Sequence, residues 1–88
     1  MLEYLKENTE FIETFKRKTI LYKGELTYYH FKIGDTHYML SCGMTDYYVL
    51  TDYIVETQDT TKYVALGNKN TIINAIKKLK EENKCDIS

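Results

Sequence analysis

The sequence predicts an α+β domain: an antiparallel β-meander of four to five strands, covered on one face by N- and C-terminal helices, in the order α-β-β-β-β-β-α. Three observations carry that expectation. Apolar residues recur at helical spacing near both ends of the chain, and residues alternate at period two through its middle. The junctions between the alternating runs are short and polar, so consecutive strands should pair as neighbours. Two amphipathic helices then bury one face of the sheet, which gives a two-layer sandwich.

Residues 2 to 18 read as one amphipathic helix. Tyr4, Leu5, Phe11, Ile12 and Phe15 fall on one side at a helical step of about 100° per residue. Glu3, Glu7, Glu10 and Glu13 come before Lys16, Arg17 and Lys18, the order that suits the helix dipole. Asn8 interrupts the stripe, and Asn8 or Thr9 offers an alternative cap for a shorter helix running to Lys18. Thr19 to Lys23 is a short β-branched and aromatic run before Gly24-Glu25. As a first strand it would place Ile20 and Tyr22 on the covered face.

Leu26 to Cys42 is the organising stretch. Gly34-Asp35 is a two-residue turn signal between two β-rich runs. A two-residue turn pairs Ile33 with Thr36, Phe31 with Tyr38 and Tyr29 with Leu40. One face then carries Tyr29, Phe31, Ile33, Tyr38, Leu40 and Cys42. The other carries Tyr28, His30, Lys32, His37, Met39 and Ser41, and is left for water or a partner. A slip of one residue would drive His30, Lys32 and His37 into the core, so the register is well specified.

Gly43 to Asp46 reads as a turn and Tyr47 to Glu56 as the next strand. Thr51 and Asp52 interrupt its two alternations, which suggests a bulge or burial on both sides. Gln58 to Thr61 is polar and loop-like, and Lys62 to Leu66 is a last short strand. Asn68 or Asn70 then caps a closing helix whose apolar stripe is Ile72, Ala75, Ile76 and Leu79.

With 88 residues, 43% hydrophobic and 28% charged, the chain is expected to fold as a single small domain spanning residues 1–88. No apolar run reaches 18 residues, and acidic and basic residues break up the first turns where a signal-peptide core would lie. A soluble cytoplasmic protein is the expectation. Cys42 should be a buried free thiol and Cys85 part of a polar tail.

Few residues are candidates for chemistry. His30 and His37 share a face and lie near each other across the hairpin, so they would bind a metal if Asp35 or Asp46 supplied a third ligand. Structural zinc usually needs four ligands, and no others occur at useful spacing, so no metal and no cofactor are expected. Cys42 lies on the face opposite both histidines and makes no nucleophile–base pair. Phosphate loops, nucleophile elbows, HExxH and CxxC are absent, and an enzyme is not expected.

Charge and aromatic placement say more. No Lys or Arg occurs between Lys32 and Lys62, an interval holding Asp35, Asp46, Asp52, Glu56 and Asp59 among interleaved tyrosines. Tyrosine gives large, stiff contact area with a polar tip, and an acidic field steers toward basic surfaces. The functional expectation is therefore a small protein-interaction module, an inhibitor or adaptor of the phage or mobile-element accessory type. It would engage a basic surface of a nucleic-acid-handling protein through Tyr28, Tyr47, Tyr48 and Tyr53 with Asp46, Asp52 and Glu56. The alternative is a nucleic-acid-binding accessory protein that uses sheet aromatics with Lys77, Lys78, Lys80 and Lys84 on the last helix. Its weakness is the acidity of the aromatic strands. A homodimeric structural domain is the third reading.

Overall fold

The computed structural model describes residues 1–18, 25–43, 47–60 and 62–85. Helix α1 (Leu2–Asn8) leads into β1 (Glu10–Lys18), β2 (Glu25–Ile33), β3 (Thr36–Cys42), β4 (Tyr48–Asp52), β5 (Tyr63–Gly67) and the long helix α2 (Lys69–Cys85). The five strands form one sheet in sequential order, every neighbouring pair antiparallel. This is the expected α+β meander with a helix from each end of the chain.

The β2–β3 hairpin has the register its alternation requires. Ile33 faces Thr36, Phe31 faces Tyr38 and Tyr29 faces Leu40 across the Gly34-Asp35 turn. Gly34 takes a positive φ of 63°, which glycine adopts without a Cβ penalty. Phe31, Ile33, Tyr38 and Leu40 are buried with Leu5 of α1, Leu50 of β4, and Ile72 and Ile76 of α2. The Phe31 and Tyr38 rings stack with centroids 5.8 Å apart. Each fully buried side chain of this kind contributes about 1.5–3 kcal/mol.

The long helix over residues 2–18 is not formed. The helix stops at Asn8, and the second half of that segment is the first strand. Thr9 is extended (φ −136°, ψ 173°), and its N–H and hydroxyl both donate to the Leu5 carbonyl, at 2.9 and 2.7 Å. The Asn8 amide donates to the Tyr4 carbonyl at 3.0 Å. Polar side chains thus satisfy carbonyls that a longer helix would have bonded. The nine residues of β1, EFIETFKRK, are rich in aromatic and β-branched types that fit a pleated surface. Its apolar residues then part company. Phe11 packs on the core, Phe15 stacks on Tyr28 at 5.2 Å, and Ile12 is exposed where the β1–β2 register shifts. The strand expected over Thr19–Lys23 and the turn residues Met44–Asp46 lie outside the described residues.

The strand expected to run to Glu56 ends at Asp52, and residues 55–58 turn. Asp52 helps to close that connection: its carboxylate accepts the Lys62 backbone N–H at 3.0 Å, and its own N–H donates to the Lys62 carbonyl at 3.3 Å. Ile54 and Asp59 exchange two further backbone bonds, at 2.8 and 3.3 Å.

Asn68 caps α2, its side-chain oxygen accepting from the Thr71 N–H at 3.0 Å and the Thr71 hydroxyl at 3.1 Å. Gly67, just before it, has φ +148°, and a Cβ there would come within 2.8 Å of Thr71 Oγ1. Gly67→Ala is therefore expected to cost about 1–3 kcal/mol from backbone strain and crowding of the cap, read as a lowered urea midpoint. Adding Thr71→Ala should recover part of the loss. No recovery would mean that the backbone conformation alone sets the cost.

Candidate interaction surface

Both helices lie on the Phe31 side of the sheet, where α1 and α2 supply Leu5, Ile72 and Ile76 to the core. No described element forms a layer over the other side. Cross-strand register assigns Phe15 from β1, Tyr28 and His30 from β2, His37 and Met39 from β3, and Val49 from β4 to that open face. On β5 an irregularity opposite Leu50 and Thr51 places Tyr63 beside Thr51 and Leu66 beside Val49. The result is a groove of about 490 Å³ along the middle of the sheet. Met39, Val49 and Thr51 make its floor, Tyr28 one wall, and Tyr63 and Leu66 the other. The floor hydroxyls turn onto backbone: Thr51 Oγ1 donates to the Met39 carbonyl at 3.3 Å and Ser41 Oγ to the Val49 carbonyl at 3.5 Å. Tyr63 is 72% exposed and Leu66 47% exposed.

The open face is drier at one point than its alternation implies. His30 and Met39, both expected to face water or a partner, are 7% and 6% exposed. The Tyr53 ring meets His30 edge-on at 4.7 Å. Tyr53 is held there because its N–H continues the β3–β4 pairing to the His37 carbonyl at 3.0 Å. His30 Nε2 and His37 Nδ1 share a hydrogen bond of 2.9 Å, so the two rings partner each other. Burial lowers the His30 pKa below its usual 6.5, the neighbouring His37 lowers it further, and Glu13 opposes both. Among the described residues, no group of three or more His, Cys, Asp or Glu converges as a metal would need. Cys42 is a free, half-buried thiol whose pKa is pushed up by burial, partly offset by a hydrogen bond with Tyr29 and by the N-terminal amine. A raised thiol pKa does not suit a nucleophile.

The end of the sheet carrying the β2–β3 turn opens a second, acidic cleft, which Asp52, paired with the core residue Tyr38, reaches from the helix side. Asp35, His37, Asp52, Tyr53, Val55 and Glu56 line it. Three of the residues singled out from sequence, Asp52, Tyr53 and Glu56, therefore come together, with Asp35 added. Tyr28 lies in the groove. Tyr47 is exposed at the opposite end of β4, and Tyr48 lies on the helix side, opposite Cys42 and packed on the core. Asp46 lies outside the described residues. Of the lysines, Lys77 and Lys78 are exposed on α2, and Lys80 is half-buried in a cleft with Glu7, Glu10 and Lys32. Lys84 belongs to the last turns of α2. This strip sits on the helix layer, with the sheet between it and the groove.

Tyr63 and Leu66, the exposed wall of the groove, were not singled out from sequence. They are three apart, and in a regular strand an odd separation means opposite faces. Only the register shift at Val64 puts them on one side. No family model, curated protein or solved structure matches the chain. Among the described residues, no helix is long and apolar enough to cross a membrane.

Proposed function

We propose that the chain is a small protein-interaction module, an inhibitor or adaptor, that docks a partner on the open sheet face. The observation that carries this reading is the groove, an apolar, aromatic-walled concavity with no described layer over it. An apolar segment of the partner fills the groove, between Tyr28 and the Tyr63–Leu66 wall. Basic residues beside that segment meet Asp35 and Glu56, which steer approach and fix orientation. A protein that handles nucleic acid is the class of partner whose surface offers such basic residues. The nucleic-acid reading is less well supported, because the lysines of α2 and the aromatic groove lie on opposite sides of the sheet. One ligand strand would not reach both.

The test uses the tagged chain on nuclease-treated extract of its own cells. Each captured protein is then purified and titrated against wild type and variants. Tyr63→Ala with Leu66→Ser should leave the melting temperature within a few degrees while weakening the partner about 100-fold. Glu56→Lys should weaken it less, with most of the loss in association rate and at low salt. A partner that binds the groove variant as tightly as wild type overturns the proposal. Capture of nucleic acid alone, abolished by nuclease, would move the function to the lysine strip.

A further inference from the structure

β1 is an edge strand of nine residues, with β2 on one side and no described strand on the other. Every second residue of such an edge directs its N–H and C=O away from the sheet, a ready template for another strand. The register shift between Phe11 and Glu13 leaves Glu13–Lys18 as the regular part. Within it, Glu13, Phe15 and Arg17 face His30, Tyr28 and Leu26 of β2, so all three lie on the open face. Glu13 and Arg17 are exposed, and neither forms an ion pair among the described residues. Four strand positions separate them, about 13 Å, too far to pair with each other. Between them Phe15 stacks on Tyr28 at 5.2 Å with Arg17 over its ring at 5.1 Å.

An acid and a base placed symmetrically about an aromatic residue make a self-complementary edge. We propose that β1 is a two-fold self-association edge: a second copy of the chain adds its own β1 antiparallel, centred on Phe15, so that Glu13 of each copy faces Arg17 of the other. A parallel approach would set Glu13 against Glu13 and Arg17 against Arg17. The charges thus select the antiparallel arrangement, which an isologous dimer needs. The ladder hydrogen bonds and the meeting of the two Phe15 rings supply the attraction, while the two Glu–Arg pairs set the register. Lys16 and Lys18, on the other face of the strand, oppose non-specific edge pairing. Two sheets joined in this way form one ten-stranded sheet and leave both grooves open, so the dimer is independent of the docking reading.

Sedimentation equilibrium from about 5 µM to about 1 mM tests it, with a dissociation constant expected near ~50 µM. E13R alone and R17E alone should each raise that constant at least about tenfold, because two like-charged contacts replace two attractive ones. The double variant E13R/R17E restores complementarity and should return to within about threefold of wild type. Circular dichroism of each variant should match wild type, so loss of fold cannot imitate loss of the dimer. A monomer at every concentration overturns the proposal. So does a dimer indifferent to the single reversals, which would place self-association on another surface.

Discussion

Phe31→Ala is expected to destabilise the protein by about 3–5 kcal/mol, while Phe15→Ala should cost about 1 kcal/mol. The two phenylalanines sit on neighbouring strands of one sheet but on opposite faces. Phe31 is fully buried, stacks on Tyr38, and belongs to the core that includes Leu5, Ile72 and Ile76 from the two helices. Removing it leaves a cavity lined by two layers that cannot close without moving a helix. Phe15 is half-buried on the open face, and its ring rests on Tyr28 and under Arg17. Its loss removes one stacking partner and opens no cavity. At about 0.05–0.15 kcal/mol per residue, a chain of this length has a total stability of roughly 4–13 kcal/mol, so Phe31→Ala leaves a marginal fold. Urea midpoints at micromolar concentration read both variants. Equal losses would mean that the open face is covered in solution at that concentration.

The same contrast shows what was legible in the sequence. Leu26–Cys42 was readable because its alternation fixes the register: Phe31, Ile33, Tyr38 and Leu40, which it turns inward, are buried in one core with Leu5, Ile72 and Ile76 of the helices, and the turn has the glycine it needs. The closing helix was readable for a similar reason, with Asn68 at its cap and Ile72 and Ile76 a turn apart on one side. Residues 10–18 were not readable. Phe11, Ile12 and Phe15 fit a helical stripe as well as a bulged strand, and local spacing cannot separate the two. What decides is tertiary: β2 needs a neighbour at its outer edge, and Thr9 ends the helix by bonding back to Leu5. The site was legible in part. Acidic residues between Lys32 and Lys62 do gather, in the Asp35–Asp52–Glu56 cleft, but the tyrosines divide between faces. Tyr48 went to the core side, and Tyr63 entered the groove through a register shift that no alternation rule anticipates.

The stability of the protein should fall as pH drops below about 6.5, and His30 should be the cause. Charging His30 means placing an imidazolium in a position only 7% exposed. It must do so beside His37, with the two ring nitrogens 2.9 Å apart and one proton already between them. Only when both rings have gained a proton is there no acceptor nitrogen left between them, so that the hydrogen bond is lost and two cations sit in contact. Burial therefore holds the His30 pKa down, His37 adds to the effect, and Glu13 on β1 offsets part of it. Lys32, two residues along β2 on the same face, contributes no compensating negative charge, and the Tyr53 ring packed T-shaped at 4.7 Å carries no charge. With its pKa lower in the fold than in the unfolded chain, His30 lets the unfolded chain bind the proton first. The stabilisation is complete above the unfolded value of 6.5 and is lost progressively as pH falls from there through the folded value. Ordinary carboxylates titrate near ~4, so a decline between about pH 6.5 and 5 belongs to histidine. Urea unfolding across that window should show it in wild type. His30→Gln, which keeps a hydrogen-bond donor for His37 but cannot charge, should flatten the curve, and His37→Gln should leave a shallower decline because burial of His30 remains. A wild-type curve flat to pH 5, or one that His30→Gln leaves unchanged, would show that the buried pair is not what acid acts on.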